Sequence, residues 1–121
     1  MATLLVNAGK AIVTSRIKGT GTEPVYTGWG TGAGTTAATD TTLFTETGSR
    51  ATGTSTQQTT SVANDTYQVV ATQTAGSALA ITNAGLFDAA SAGNLFVKGD
   101  FSTINLATGD SIQFTFKTQF S

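Results

Sequence analysis

The chain has 121 residues, of which 39% are hydrophobic and only 11% are charged, and its formal net charge is −1. This length supports one hydrophobic core, so a single domain over residues 1–121 is predicted. The sequence contains no cysteine and no histidine, which excludes disulfides and removes the usual general base and the commonest metal ligand.

Charge and hydropathy also narrow the expected partners. The sequence has no cluster of Lys and Arg, which nucleic acids and anionic membranes require, so we expect neither as a partner. No apolar run approaches the roughly 18 residues of a membrane span, and the N-terminus lacks the pattern of a secretory signal. We therefore expect a protein that is made, and used or assembled, in the cytoplasm.

The segment from Leu4 to Lys18 is predicted to form the one helix of the protein. Its apolar residues recur at every third or fourth position and make a single stripe. Thr3 is a suitable N-cap and Gly19 a suitable stop after the last turn. Gly9 opposes the helix by up to about 1 kcal/mol relative to Ala. A strand over Ala11–Ile17 is the alternative.

The next part of the chain consists of short strands and turns. Val25–Gly30 reads as a short strand that carries Tyr26 and Trp29. Leu43 and its neighbouring Phe form a small apolar anchor. The stretch from Arg50 to Ser61 is rich in Thr and Gln without periodicity, which indicates a solvated edge strand or a long loop.

Strand patterns become stronger in the second half. We predict strands over about Thr66–Thr74, around Leu79 and Ile81, over Asn83–Asp88, and from Leu95 onward. Because these strands recur at intervals of roughly 8–12 residues with turns between them, the predicted fold is mainly β. We expect an antiparallel, jelly-roll-like β-sandwich with one short N-terminal helix.

The closing segment, residues 111–121, gives the clearest strand pattern in the chain. A period of two places alternate side chains on opposite faces of a strand. One face is apolar and the other is polar, and a Gly-Asp turn precedes the strand. The predicted apolar face consists of Ile112, Phe114, Phe116 and Phe120.

Motifs that carry chemistry are weak in this sequence. Gly28, Gly30 and Ala33 match a dinucleotide-binding fingerprint, but no helix start or βαβ unit follows them, so we expect no cofactor. Most Asp and Glu residues adjoin turn residues, which indicates turn capping and not a metal site or a catalytic pair. We expect a protein that is not an enzyme and has no catalytic or metal-binding residues.

Trp29, the single tryptophan, has two interpretations. It is either an anchor for a ligand or partner, or a residue packed in the core, and core packing is favoured. Apolar residues near the ends of a small domain are typical of surfaces covered by symmetry mates, which motivates a homotrimer hypothesis. The candidate assembly-interface residues are Leu4, Leu5, Tyr26 and Trp29.

Over nearly its whole length the chain resembles small structural proteins of tailed-bacteriophage virions. The motifs that carry the resemblance, in order, are Leu5–Val13, Trp29–Gly32, Thr39–Glu46, Asn64–Val70, Thr82–Asp88 and Gly109–Phe116. The resemblance implies a capsid decoration (cement) protein that binds the major capsid protein on the exterior of the virion. It also admits a tail or fibre component that binds host surface glycan through Trp29 or Tyr26. It brings no catalytic residues with it.

Overall fold

The computed structural model describes residues 3–121, which form two antiparallel sheets and one helix. The prediction of a mainly β, antiparallel sandwich with one short helix is therefore confirmed. The elements are β1 (Thr3–Leu5), α1 (Asn7–Lys18), β2 (Tyr26–Gly30), β3 (Glu46–Thr52), β4 (Thr54–Gln58), β5 (Thr66–Thr74), β6 (Leu79–Phe87), β7 (Leu95–Leu106) and β8 (Ser111–Gln119).

The two sheets differ in width. The large sheet has five strands in the order β1-β7-β6-β2-β3, and the small sheet has three in the order β4-β5-β8. Gly53 alone separates β3 from β4, so the chain passes there from one sheet into the other. A Cβ at Gly53 would lie 2.5 Å from a methyl carbon of Val69, which explains why glycine occupies this corner. The chain itself thus closes one side of the sandwich.

The space between the sheets holds two apolar clusters. One is centred on Trp29, Ile81 and Leu106, and half-buried aromatic residues of the small sheet cover it. In the other, Ile12 of α1 packs with buried residues from β5, β6 and β7. The helix therefore adds apolar area to the same core that the two sheets form.

The helix begins later than the sequence predicted. Residues from Thr3 to Leu5 pair with β7 as strand β1, so α1 starts at Asn7 and not at Leu4. The predicted N-cap is wrong as well, because Val6 occupies that position without a side-chain capping bond. The predicted stop is confirmed, since Gly19 adopts a left-handed conformation with φ of 93°. The alternative strand over Ala11–Ile17 is wrong.

Gly9 has a packing role that its low helix propensity conceals. A Cβ at this position would lie 2.1 Å from the carbonyl oxygen of Phe96 in β7. Glycine therefore lets the helix backbone approach the large sheet more closely than alanine would.

The outer face of the large sheet is covered by the loop of residues 31–45. Leu43 in this loop is 5% exposed, and the side chain of Lys98 in β7 is fully buried beneath it. The Lys98 ammonium donates hydrogen bonds to Asp40 Oδ2 and to the carbonyl of Thr42, both at 2.9 Å. It also lies 3.2 Å from the ring centroid of Phe44. These contacts fix the loop to the sheet.

Two further segments resolve alternatives that the sequence left open. The polar stretch after Arg50 lies mostly in β3 and β4, which are edge strands of the two sheets, so the edge-strand interpretation is correct. The two strands predicted around Ile81 and after Asn83 form one continuous strand, β6. An irregular register against β7 between Ile81 and Asn83 interrupts the alternation there, and this explains the predicted break.

Candidate functional site

The closing strand β8 has the two faces that its sequence predicted. Ile112, Phe114 and Phe116 are half-buried, whereas Gln113 and Thr115 between them are exposed. Phe120 is the exception: it lies beyond the end of the strand, is 45% exposed, and lines a depression beside α1.

The aromatic residues of β8 contact the large sheet through ring packing. Phe114 meets Trp29 edge-on with ring centroids 6.3 Å apart, and its centroid lies 6.4 Å from that of Phe101 in β7. Phe116 stacks on Phe114 at 6.0 Å. These rings hold β8 over the middle of the large sheet, yet they stay half-exposed because their other side faces an opening.

That opening is an apolar groove between β8 on one side and β1 and β7 on the other. Its volume is about 510 Å³. It exists because the small sheet has two strands fewer than the large sheet, so β8 does not reach above β1. The apolar residues that line it are Leu4, Leu5, Ala84, Val97, Phe101, Ile104, Phe114 and Phe116.

The backbone of β8 leaves one row of hydrogen-bonding groups without a strand partner. Within residues 3–121, β8 pairs only with β5. At the two ends of this ladder, Phe120 N–H donates to the backbone carbonyl of Asp65 at 2.9 Å, and Ala75 N–H donates to the backbone carbonyl of Asp110 at 2.8 Å. Because bonded and outward positions alternate in an antiparallel pair, the even-numbered residues of β8 face β5. The residues whose N–H and C=O point away from β5 are Ser111, Gln113, Thr115, Lys117 and Gln119.

One positive charge stands at the groove. Of the residues that the structure describes, Lys117 is the only charged one that lines it, and its side chain lies on the exposed face of β8. In the part of the chain that the structure describes, Lys117 forms no ion pair. The groove therefore combines an apolar floor, a free strand edge and one unpaired ammonium group.

The structure separates the candidate interface residues into two pairs. Leu4, which is 36% exposed, and the half-buried Leu5 both belong to β1 beside the groove; Leu5 pairs with Val97 and shares its face, whereas Leu4 pairs with Lys98 and shares the opposite face. Tyr26 is half-buried against Leu43 and its neighbours on the other face of the large sheet. Trp29 is 2% exposed and packs in the core, the placement that the sequence favoured. The role of these residues in assembly stays a prediction.

The sequence did not identify the groove or the free edge. Its only signal was the regular alternation of the last strand, which reveals an apolar face but not how many strands cover it. Phe101 and Ile104 line the groove from β7, at a position that depends on the width of the sheets.

Two aspartates that the sequence predicted to lie beside turns accept hydrogen bonds from backbone N–H groups of those turns. Asp65 accepts hydrogen bonds from the N–H groups of Thr60, Ser61 and Val62 at 2.8, 2.9 and 3.1 Å. These bonds, that from Thr60 above all, hold the pKa of Asp65 well below its usual range. Asp110 likewise accepts the N–H of Ala107 at 2.8 Å, so the capping interpretation is confirmed at both positions.

The glycines of the apparent dinucleotide fingerprint lie within a strand. Gly28 and Gly30 belong to β2, which lies between β3 and β6 in the large sheet. Phosphate binding needs free N–H groups at the start of a helix, and this part of the chain forms no helix. Among residues 3–121 there is no group of three or more Asp, Glu, His or Cys positioned to hold a metal ion.

No helix within residues 3–121 has the length and apolar character needed to cross a membrane. Comparison of the chain with protein-family models, curated proteins and solved structures gave no match.

Proposed function

We propose that this chain is a structural protein of a tailed-bacteriophage virion and, within the particle, a capsid decoration protein. In this role it binds the major capsid protein on the exterior of the shell and stabilises the lattice. The order of sequence motifs supports the virion assignment, and the observation that carries the decoration role is the free edge of β8 beside an apolar groove.

A groove of this kind suits recognition of a protein. An unpaired strand edge offers alternating N–H and C=O groups, which are complementary to another extended backbone. An apolar floor beside that edge gains free energy when a partner covers it. A decoration protein acts through such contacts and needs no reactive side chains.

The distribution of charge supports close docking in a lattice. The Arg50 side chain is tied to Glu46 at 2.7 Å and donates to the carbonyls of Ala89 and Ala92. Lys98 is likewise engaged beneath the loop of residues 31–45. With these cations held in internal contacts and few charges in the chain, little ion desolvation accompanies burial of the remaining surface.

Association with further copies of the chain belongs to the same proposal. A homotrimer at the local threefold positions of a shell would present several identical grooves to the lattice at once, and its overall affinity would benefit from that multivalency. Leu4 is accessible for such contacts, since it is 36% exposed and lies in the edge strand β1.

The experiment that tests the proposal adds purified protein to virus shells assembled without it. We expect saturable binding at hundreds of copies per particle and a higher temperature of shell disruption. Binding at only a handful of copies would indicate a tail position, and an absence of binding to shells would contradict the decoration role.

The tail alternative, a component that binds host glycan, depends on an exposed aromatic platform. Trp29 does not supply one because it is 2% exposed, and the half-buried Tyr26 is the remaining candidate. The copy number from the same experiment separates this alternative from decoration.

A further inference from the structure

We infer that the groove beside β8 binds an extended segment of a partner protein as a fourth strand of the small sheet, and that this segment carries a carboxylate near Lys117. That the partner is a capsid protein rests on the proposed function. The preference for an acidic extended strand rests on the groove alone.

The widths of the two sheets set the size of the occupant. The Phe114 ring contacts both Trp29 of β2 and Phe101 of β7, so β8 lies over the centre of the large sheet. One additional strand beside β8 would lie above β7 and β1 and would bring the small sheet level with the edge of the large one.

The backbone of β8 specifies how that strand would be held. The N–H and C=O groups of Ser111, Gln113, Thr115, Lys117 and Gln119 point away from β5 and toward the position of the additional strand. Natural edge strands often avoid new partners by carrying a proline or a break in register. The edge of β8 has neither feature. An extended backbone can therefore pair along the length of β8.

The floor of the groove specifies the pattern of the occupant's side chains. Leu5, Val97, Phe101 and Ile104 give an apolar surface on the large sheet. In a strand, alternate side chains point to opposite faces, so every second residue of the occupant would be apolar and would point at this surface. The residues between would be polar and would lie beside the exposed face of β8.

Charge determines the remaining feature of the occupant. Among residues 3–121, the groove lining contains one ammonium group, that of Lys117, and no carboxylate. A carboxylate on the polar face of the additional strand would lie cross-strand from Lys117, and a lysine there would repel it. The complementary partner is therefore an acidic segment.

A second copy of the chain is a poorer occupant. Antiparallel pairing of two β8 strands across a twofold axis places both large sheets on the same side of the joined small sheets. Because each large sheet extends beyond its own β8, the two β1 edges would occupy the same space. A single extended segment avoids this overlap.

The test uses the intact protein and two synthetic peptides matched in length to β8, which has 9 residues. Both peptides alternate Thr and Val, beginning with Thr. They differ only in the third residue, which is Glu in one and Lys in the other and lies opposite Lys117 when the peptide pairs antiparallel and in register with β8. Amide hydrogen exchange by NMR is measured on saturation. We expect slower exchange at Gln113, Thr115 and Lys117, and binding of the Glu peptide about threefold tighter than that of the Lys peptide.

Two variants make the outcome specific. Thr115→Pro removes an outward N–H without removing a bond to β5, and it should weaken binding of the Glu peptide at least about tenfold. Lys117→Glu should reverse the preference between the peptides, and this reversal does not depend on how well the proline variant folds.

The proposal is overturned if neither peptide slows exchange at β8, or if Lys117→Glu leaves the preference unchanged. It is also overturned if sedimentation gives a dimer whose β8 edge is already protected, because a second copy would then be the occupant. The peptide experiment uses no virus particle, so it is independent of the shell-binding experiment. If the peptide binds and the protein does not bind shells, the decoration role is contradicted and the preference for an acidic strand still holds.

Discussion

Lys98 places a positive charge in a buried position beneath the loop of residues 31–45. Its side chain is fully buried, while Asp40, its ion-pair partner, keeps 20% of its side-chain surface exposed. The pKa of Asp40 is held below its usual range, chiefly by the hydrogen bond from Ala37 N–H and next by the hydrogen bond from the Lys98 ammonium. The charge is compensated by neighbours from a distant loop, so nothing in the sequence around Lys98 indicated its burial.

We expect Lys98→Ala to destabilise the protein by about 3–5 kcal/mol, because it breaks a buried ion pair and removes the contact that holds the loop of residues 31–45. Chemical denaturation of the two proteins measures this loss. Lys117→Ala is the matched control, and its effect should stay within about 0.5 kcal/mol since that side chain is exposed. Equal effects of the two substitutions would contradict the role given to Lys98.

A second prediction at this scale concerns acid. The pKa of Asp65 is lowered from its ordinary value of 3.8, chiefly by the N–H of Thr60. A lowered pKa in the folded state stabilises the fold above the ordinary value, and this stabilisation is lost as pH falls below about 4.

Asp65→Asn should therefore lower the melting temperature by several degrees at neutral pH, and its melting temperature should fall less steeply than that of the wild type between about pH 5 and pH 2. Thermal melts over this range provide the measurement. Parallel curves for the two proteins would mean that the carboxylate gives no pH-dependent stability.

The third residue-scale prediction compares two neighbours on β8. Phe114 is half-buried among Trp29, Phe101 and Phe116, so Phe114→Ala should cost about 2 kcal/mol, less than the 3–5 kcal/mol of a fully buried Phe. Thr115→Asp on the exposed face should change stability by less than about 0.5 kcal/mol. Urea melts of both variants decide the matter, and equal losses would mean that both faces of β8 are covered.

At the scale of elements, local sequence patterns predicted whether a segment is a helix or a strand more accurately than they predicted the residues at which it begins and ends. The alternation over β8 is a property of the strand itself, so it was visible in the sequence. The start of α1 was not visible, because Thr3–Leu5 is drawn into the sheet by β7, a partner distant in sequence. The same reason applies to β6, whose continuity depends on its neighbours β2 and β7.

The contact of α1 with β7 gives a prediction in which packing and propensity have opposite signs. Gly9→Ala favours the helix by up to about 1 kcal/mol. The added methyl would nevertheless meet the carbonyl of Phe96, so we expect a net destabilisation of about 1–3 kcal/mol. Lys10→Ala, at an exposed position of the same helix, should be nearly neutral or slightly stabilising in denaturant melts. A stabilised Gly9→Ala protein would show that the helix does not dock closely on the sheet.

At the scale of the whole molecule, the groove follows from how the strands are divided between the sheets. Strand patterns indicate a sandwich, but the division into five and three depends on the corner at Gly53 and on long-range pairing. Composition and alternation could therefore predict the architecture, whereas the open edge of β8 could not be inferred from them.

Long-range pairing also predicts slow folding. Thr3 pairs with Gly99, and Thr27 pairs with Leu86, so the large sheet joins segments far apart in the chain. We expect refolding in milliseconds to seconds, in the range typical of β-sandwiches, and stopped-flow fluorescence of Trp29 can follow it. Refolding within microseconds would be inconsistent with this register.

The corner at Gly53 has one further consequence, for motion. The sheets are joined along that side. At one end the chain also crosses between them twice, from β5 to β6 and from β7 to β8, and hydrogen bonds from Ala75 to Asp110 and from Gly109 to Ala75 connect these two crossings. The diagonally opposite corner, where Gln119 faces β1, has neither restraint. We therefore expect the slowest breathing motion of the sandwich to be widest at that corner. A strand bound at that corner would reduce this motion. The accompanying loss of conformational entropy would make binding less favourable than the contacts alone would give.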